Sequence, residues 1–168
     1  MRGRSRRRYL AAYLFFYITV ERAIERLFIG ILMGRYQFDQ PGVRRRIDVR
    51  SDTVARSIVS SERSYADWLP YDLTRRRAKS FFSGGRPFTS LSPADQKVLR
   101  RIGLIRNAIA HDSNHALRLF QSEFVSGRAL PPDQHKPAGY LRGQHSVGQT
   151  RLEYSFAEAA AVMKRLCR

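Results

Sequence analysis

Cysteine, lysine, acidic residues and unbroken apolar runs are all scarce in this 168-residue sequence. Its one cysteine, Cys167, cannot close an internal disulfide, and no Cys/His spacing of the structural-zinc kind is present. That excludes the disulfide-stapled secreted scaffolds and fits a reducing compartment, with the cytoplasm as the expected location. No cofactor fingerprint occurs, and no cofactor or resident metal is expected. Apolar runs are interrupted too. Five arginines within Met1–Arg8 followed by the apolar stretch Leu10–Val20 resemble a leader segment. However, Glu21, Arg22, Glu25 and Arg26 follow at once, no small-residue cleavage site is present, and the apolar pattern resumes at Leu27. Such charges argue against a membrane span and for one long core helix.

What the sequence has in excess is arginine. Lys plus Arg number 31 against 14 Asp plus Glu, for a net charge of +17, and only Lys79, Lys97, Lys136 and Lys164 are lysines. The guanidinium is a planar fork that grips a phosphate through two hydrogen bonds, where an ammonium is a point charge. A polyanion is therefore the expected partner, nucleic acid ahead of an acidic membrane. The bland alternative is a solvated basic surface. At 43% hydrophobic residues the chain can bury a core, and its length fits one domain over residues 1–168. Residues 1–8 read as a basic N-terminal extension and 127–151 as a long loop.

The periodicity predicts an all-α bundle. A first helix spans Arg6 to Met33 and ends at Gly34. Pro41-Gly42 turns a connector that leads to Arg44, Arg45 and Arg46. A second helix covers Asp48 to Trp68, with Val49, Val54, Ile58 and Val59 as its apolar stripe. A short third helix runs from Arg75 to Phe82, capped by Asp72 or Thr74. Ser92-Pro93 opens a fourth that continues to His111, since Ser caps well and Pro at the first position loses no needed N–H. Asp112 or Ser113 caps a fifth, Asn114 to Val125, with Ala116, Leu117, Leu119, Phe120 and Phe124 inward. Prolines and glycines punctuate 127–151, and Tyr154 to Leu166 forms the last helix.

Chemistry concentrates in Arg106-Asn107-Ala108-Ile109-Ala110-His111. Asn107 and His111 are four apart and share a helix face. Arg106 stands about 140° from His111 on an ideal helix, within the swing of a long side chain. A titratable imidazole, a permanent cation and an orienting amide suit RNA cleavage through the substrate's own 2′-hydroxyl. Histidine can take or give the proton, arginine can stabilise charge building on phosphate without a metal, and Asn107 can hold the His111 tautomer or touch the phosphate. The candidate catalytic residues are thus Arg106, Asn107 and His111; a capping histidine beside a surface arginine is the structural alternative. Arg75, Arg76 and Arg77 can track a phosphate backbone or form a solvated helix face, with Arg77 alternatively turned inward beside Ala78, Phe81 and Phe82, and Arg142 and Arg151 can position RNA. His111 and His115 have a metal-ligand spacing, but no third ligand accompanies them, and His115 is read as a helix-start residue or an RNA contact at the rim. Trp68, Tyr71, Phe88 and Tyr140 are read as core anchors ahead of base stackers. No clear helix-turn-helix supports a DNA-binding regulator.

An ordered series of segments resembles the HEPN family (higher eukaryotes and prokaryotes nucleotide-binding), in its bacterial ribonuclease-associated branch. The series reads Asp67-Trp68-Leu69-Pro70-Tyr71-Asp72, Arg77-Ala78, Phe81-Phe82, Gly85-Arg86-Pro87-Phe88 and Arg106 to His111. It continues with Ser113, His115-Ala116-Leu117, Phe120, Leu130-Pro131-Pro132 and Gly139-Tyr140-Leu141-Arg142-Gly143. It covers about residues 60–168, and the first 45 residues fit only as a first long helix. The family signature is Arg, four to six residues, then His; here the gap is four, with Asn107 as the polar residue after the Arg. The resemblance implies a helical homodimer whose two Arg/His elements meet in a basic cleft. It implies metal-independent cleavage of RNA to a cyclic phosphate and a 5′-hydroxyl, often by a toxin or defence effector held by an antitoxin or regulatory protein. Other members bind RNA or nucleotide without cutting, which is the alternative function. Some members carry an adenylylated Tyr two residues after the His; this chain has Ser113 there.

Overall fold

The computed structural model describes residues 2–36, 42–61, 66–111 and 113–167. Met1 of the N-terminal extension, Pro41 of the Pro-Gly turn and Asp112 lie outside them. Seven α-helices form among the described residues, with one two-stranded hairpin, so the chain is all-α in class. They are α1 (Arg2–Leu32), α2 (Asp52–Ser60), α3 (Tyr71–Phe81), α4 (Pro93–Ala110), α5 (Asn114–Phe124), α6 (Pro137–Arg142) and α7 (Arg151–Leu166). Strands β1 (Gln144–Ser146) and β2 (Gln149–Thr150) pair antiparallel between α6 and α7. No described helix is long and apolar enough to cross a membrane.

Contacts divide the chain into two compact units, one of Met1–Thr19 with Arg100–Ala160 and one of Val20–Leu99 with Ala161–Arg168. The first unit is built on the aromatic positions of α1. Tyr13, Ile105, Phe120, Phe124, Tyr140, Leu141 and Leu152 make its buried cluster, with Phe16 and Phe156 packed against it. The Tyr13 hydroxyl donates to the Ile102 carbonyl at 3.3 Å. Burial holds that phenol far above its usual range, so it acts as a donor and not as an acid.

The second unit centres on Phe28, whose ring lies 5.0 Å from Trp68, 4.9 Å from Phe82 and 5.0 Å from Phe88. Removing so contacted a ring costs about 3–5 kcal/mol, transfer and cavity terms together. Trp68, Tyr71, Phe88 and, in the first unit, Tyr140 are all buried core anchors. Thr74 is buried inside α3, where its hydroxyl donates to the Trp68 carbonyl at 2.6 Å and caps nothing. The unit's charged clamp joins Asp95 and Arg165 through Nη2–Oδ1 at 2.5 Å and two Nε contacts at 3.1 and 3.2 Å.

Local chemistry explains where the elements begin and end. Gly34, at φ 70°, closes α1: its N–H reaches Ile31 O and the Arg35 N–H reaches Gly30 O, a Schellman turn. The helix begins at Arg2, so the described part of the N-terminal extension is helical. Ser92 caps α4 as expected, accepting the Asp95 N–H at 3.1 Å while its hydroxyl meets Asp95 Oδ2 at 2.9 Å. Four expectations are corrected. The second helix is only Asp52–Ser60, because Ser51 caps it and Ser61, in the left-handed conformation, ends it. Its buried side chains are Ala55 and Val59, while Val54 and Ile58 face out, a rotation of one residue. Leu119 of α5 is likewise exposed. Residues 127–151 are not one long loop but a 3-10 turn (Pro132–His135), α6 and the hairpin. Prolines there start helices, at Pro132 and Pro137, instead of preventing them.

Candidate functional site

Helix α4 ends at Ala110 and α5 begins at Asn114, so the motif sits at a helix–helix corner. The His111 N–H still donates to the Asn107 carbonyl at 2.9 Å, but His111 itself lies beyond the last helical residue. That release from helical geometry removes the 140° separation. Arg106 Nη1 lies 3.0 Å from Asn107 Oδ1 and 3.0 Å from His111 Nε2. A guanidinium only donates, so in this arrangement Nε2 is unprotonated and the imidazole hydrogen is on Nδ1. The orienting amide therefore acts on Arg106, and Arg106 in turn meets His111; no side-chain bond joins Asn107 to His111 directly.

The two contacts use both hydrogens of Nη1. Among the described residues, Nε and Nη2 of Arg106 have no hydrogen-bond partner. Those two nitrogens form the side-on fork that matches two phosphate oxygens. The guanidinium rests 5.3 Å from the centre of the buried Tyr17 ring, an attraction of about 0.5–1 kcal/mol. Arg106 is half-buried and steadied by this shelf, while Asn107 and His111 are exposed. Sequence reasoning missed Tyr17. Its signal was the ladder Tyr9, Tyr13, Tyr17, spaced four apart along α1.

Two residues after His111, Ser113 caps α5 by accepting the Ala116 N–H at 3.2 Å. His115 is exposed in the first turn of α5, where backbone N–H groups lack intrahelical partners. The cap puts His111 and His115 on different elements. Among the described residues no group of three His, Cys, Asp or Glu side chains gathers.

The remaining candidates are not drawn into this cluster: among the described residues no hydrogen bond or ion pair joins His115, Arg142 or Arg151 to it. Arg142 is exposed and pairs with Asp133 at 2.6 Å. Arg151 is engaged inside the first unit, donating from Nη1 to Gln134 Oε1 at 2.7 Å and to the Tyr140 carbonyl at 3.1 Å. Its guanidinium also lies 4.7 Å from the Tyr140 ring centre. In the second unit Arg75 pairs with Asp72 at 3.0 Å. Arg77 donates to the Asp67 carbonyl at 2.9 Å and stacks over Trp68 at 4.8 Å. Of that trio, Arg76 alone is exposed. No family model, curated protein or solved structure matches the chain.

Proposed function

We propose that the protein is a metal-independent endoribonuclease of HEPN type, acting on RNA as a toxin or defence effector. The observation that carries this reading is the Arg106 guanidinium held between Asn107 Oδ1 and His111 Nε2 with its outer fork open. In the proposed step the 2′-oxygen attacks the adjacent phosphorus while its proton passes to a base. The bond from phosphorus to the 5′-oxygen breaks, and the leaving oxygen takes up a proton. The products are a 2′,3′-cyclic phosphate and a 5′-hydroxyl. His111, with Nε2 unprotonated, supplies the base once a phosphate draws Arg106 away from it. Arg106 then stabilises the charge gathering on the phosphate oxygens.

One chain supplies one imidazole in this motif, whereas the reaction has both a proton to remove and a proton to deliver. A symmetric homodimer bringing two motifs together meets that need. Phe15, 73% exposed, and Ile18 lie three apart on one face of α1 and offer apolar surface for such an interface. The net charge of +17 favours an RNA partner, and an acidic antitoxin or regulatory protein would suit the same charge.

A second reading, an RNA- or nucleotide-holding module without catalysis, draws on the same contact, since Arg106 covers the nitrogen that would move the proton. Incubation of the purified protein with end-labelled RNA in EDTA separates the two. Cleavage to cyclic-phosphate ends is the expected result; retention of intact RNA selects the module.

A further inference from the structure

The second unit carries a cationic surface outside the Arg106 cluster. Residues 44–46 run beside the end of α3, with the Ser83 N–H on the Arg44 carbonyl and the Arg46 N–H on the Phe81 carbonyl, both at 2.9 Å. An isolated bridge pairs Arg45 with Phe82. Side chains two apart on an extended segment share a side. Arg45 turns inward to the Leu32 carbonyl and Asp48, so Arg44 and Arg46 fall on the opposite side. Lys79 adjoins the same turn: a Cβ at Gly85 would lie 3.0 Å from its Cγ, and the Gly85 N–H is bonded to the Phe82 carbonyl. Arg76 is three residues before Lys79, on the same helix face.

All four side chains are exposed, and among the described residues none of them makes an ion pair. The nearby acids are taken by other cations: Asp48 by Arg45 and Arg50, and Asp72 by Arg75. Four uncompensated charges on these adjoining segments repel each other. Arg46 offsets part of this by donating from Nε to the Phe82 carbonyl at 3.4 Å, and Lys79 sits in the last turn of α3, where the helix dipole favours a cation. Neither accounts for Arg44 or Arg76.

We infer that Arg44, Arg46, Arg76 and Lys79 form a second polyanion-binding surface, which tracks the phosphate backbone of single-stranded RNA without reading its sequence. This binding does not depend on cleavage at Arg106. The test uses the full chain and a fluorescein-labelled 2′-O-methyl oligouridine, which lacks the 2′-hydroxyl and cannot be cut by the proposed mechanism. Binding is followed by anisotropy from low to moderate salt. Arg46 is left in place because of its bond to Phe82. In the triple variant Arg44→Ala, Arg76→Ala, Lys79→Ala, the slope of log K against log salt should become shallower by about 2, at roughly 0.7 per lost phosphate contact. Between 50 and 200 mM salt the native protein should therefore lose about 16-fold more affinity than the variant. The charge-conserving pair Arg44→Lys, Arg76→Lys should keep the native slope. If the triple variant does not fold, Arg76→Ala and Lys79→Ala alone should each reduce the slope by about 0.7. A native slope in the alanine variants overturns the inference. So does loss of binding to phosphatidylserine vesicles with RNA binding unchanged, which would assign the surface to a membrane.

Discussion

Replacing Arg151 with alanine separates a structural arginine from an RNA-binding one. Its guanidinium donates to Gln134 Oε1 and to the Tyr140 carbonyl and stacks on the Tyr140 ring. A Cβ at Gly143 would overlap its Nη1, so glycine there makes room for the arrangement. Each charge-assisted hydrogen bond contributes about 1.5 kcal/mol at the low end, suited to a half-buried group, and the cation–π contact adds about 0.5 kcal/mol. The sum is about 3–4 kcal/mol. For a chain of this size that lowers Tm by roughly 6–15 °C. Differential scanning fluorimetry reads the loss, and RNA binding at a temperature where the variant is folded should keep its native salt slope. A native Tm together with a shallower salt slope would refute the structural assignment and return Arg151 to the RNA surface.

Three further outcomes follow from named contacts. The Asp95 carboxyl is held below the usual carboxylate range, first by hydrogen bonds from Arg165 and then by Ser92. Its stabilisation is therefore present above the ordinary value of about 4 and lost as pH falls below it. Asp95→Asn should lower Tm at neutral pH and flatten its decline between about pH 4 and pH 2, read by melting across pH. Gly34→Ala should lower Tm by roughly 2–8 °C, because a left-handed residue with a side chain costs about 1–2 kcal/mol. The new Cβ would also stand 2.9 Å from the Arg45 guanidinium. Arg106→Lys keeps the charge but loses the fork, so cleavage should fall by about 10²–10³-fold while the salt slope of RNA binding stays native.

The sequence made visible whatever depends on neighbouring residues. Ser92-Pro93 starts α4 and Gly34 ends α1 because capping chemistry is contained within a few positions. The nearness of Arg106, Asn107 and His111 was legible for the same reason, although the order of contacts was not. That order depends on α4 ending before His111, which frees the imidazole to meet Arg106. Tertiary partners remained hidden. Arg151 looks like a free cation until Tyr140 is folded beneath it, and the inward alternative for Arg77 has no named partner until Trp68 is in place. Residues 127–151 look like a loop until Arg151 holds Gln134 and Tyr140 in place. In α2 the apolar residues at 54, 55, 58 and 59 allow two stripes, and only packing selects Ala55 and Val59.

The proposed ribonuclease rests on His111, and one comparison tests it most directly. His111→Ala and the native protein should be assayed on the same labelled RNA in EDTA, with Tm and RNA affinity measured on the same preparations. Among the described residues His111 is exposed and its side chain meets Arg106, so its loss should leave Tm and binding near native. Cleavage should fall by about 10²–10⁴-fold, the usual cost of one positioned acid or base. His115→Ala should change the rate far less. A folded His111→Ala protein that cuts RNA at the native rate would contradict the mechanism.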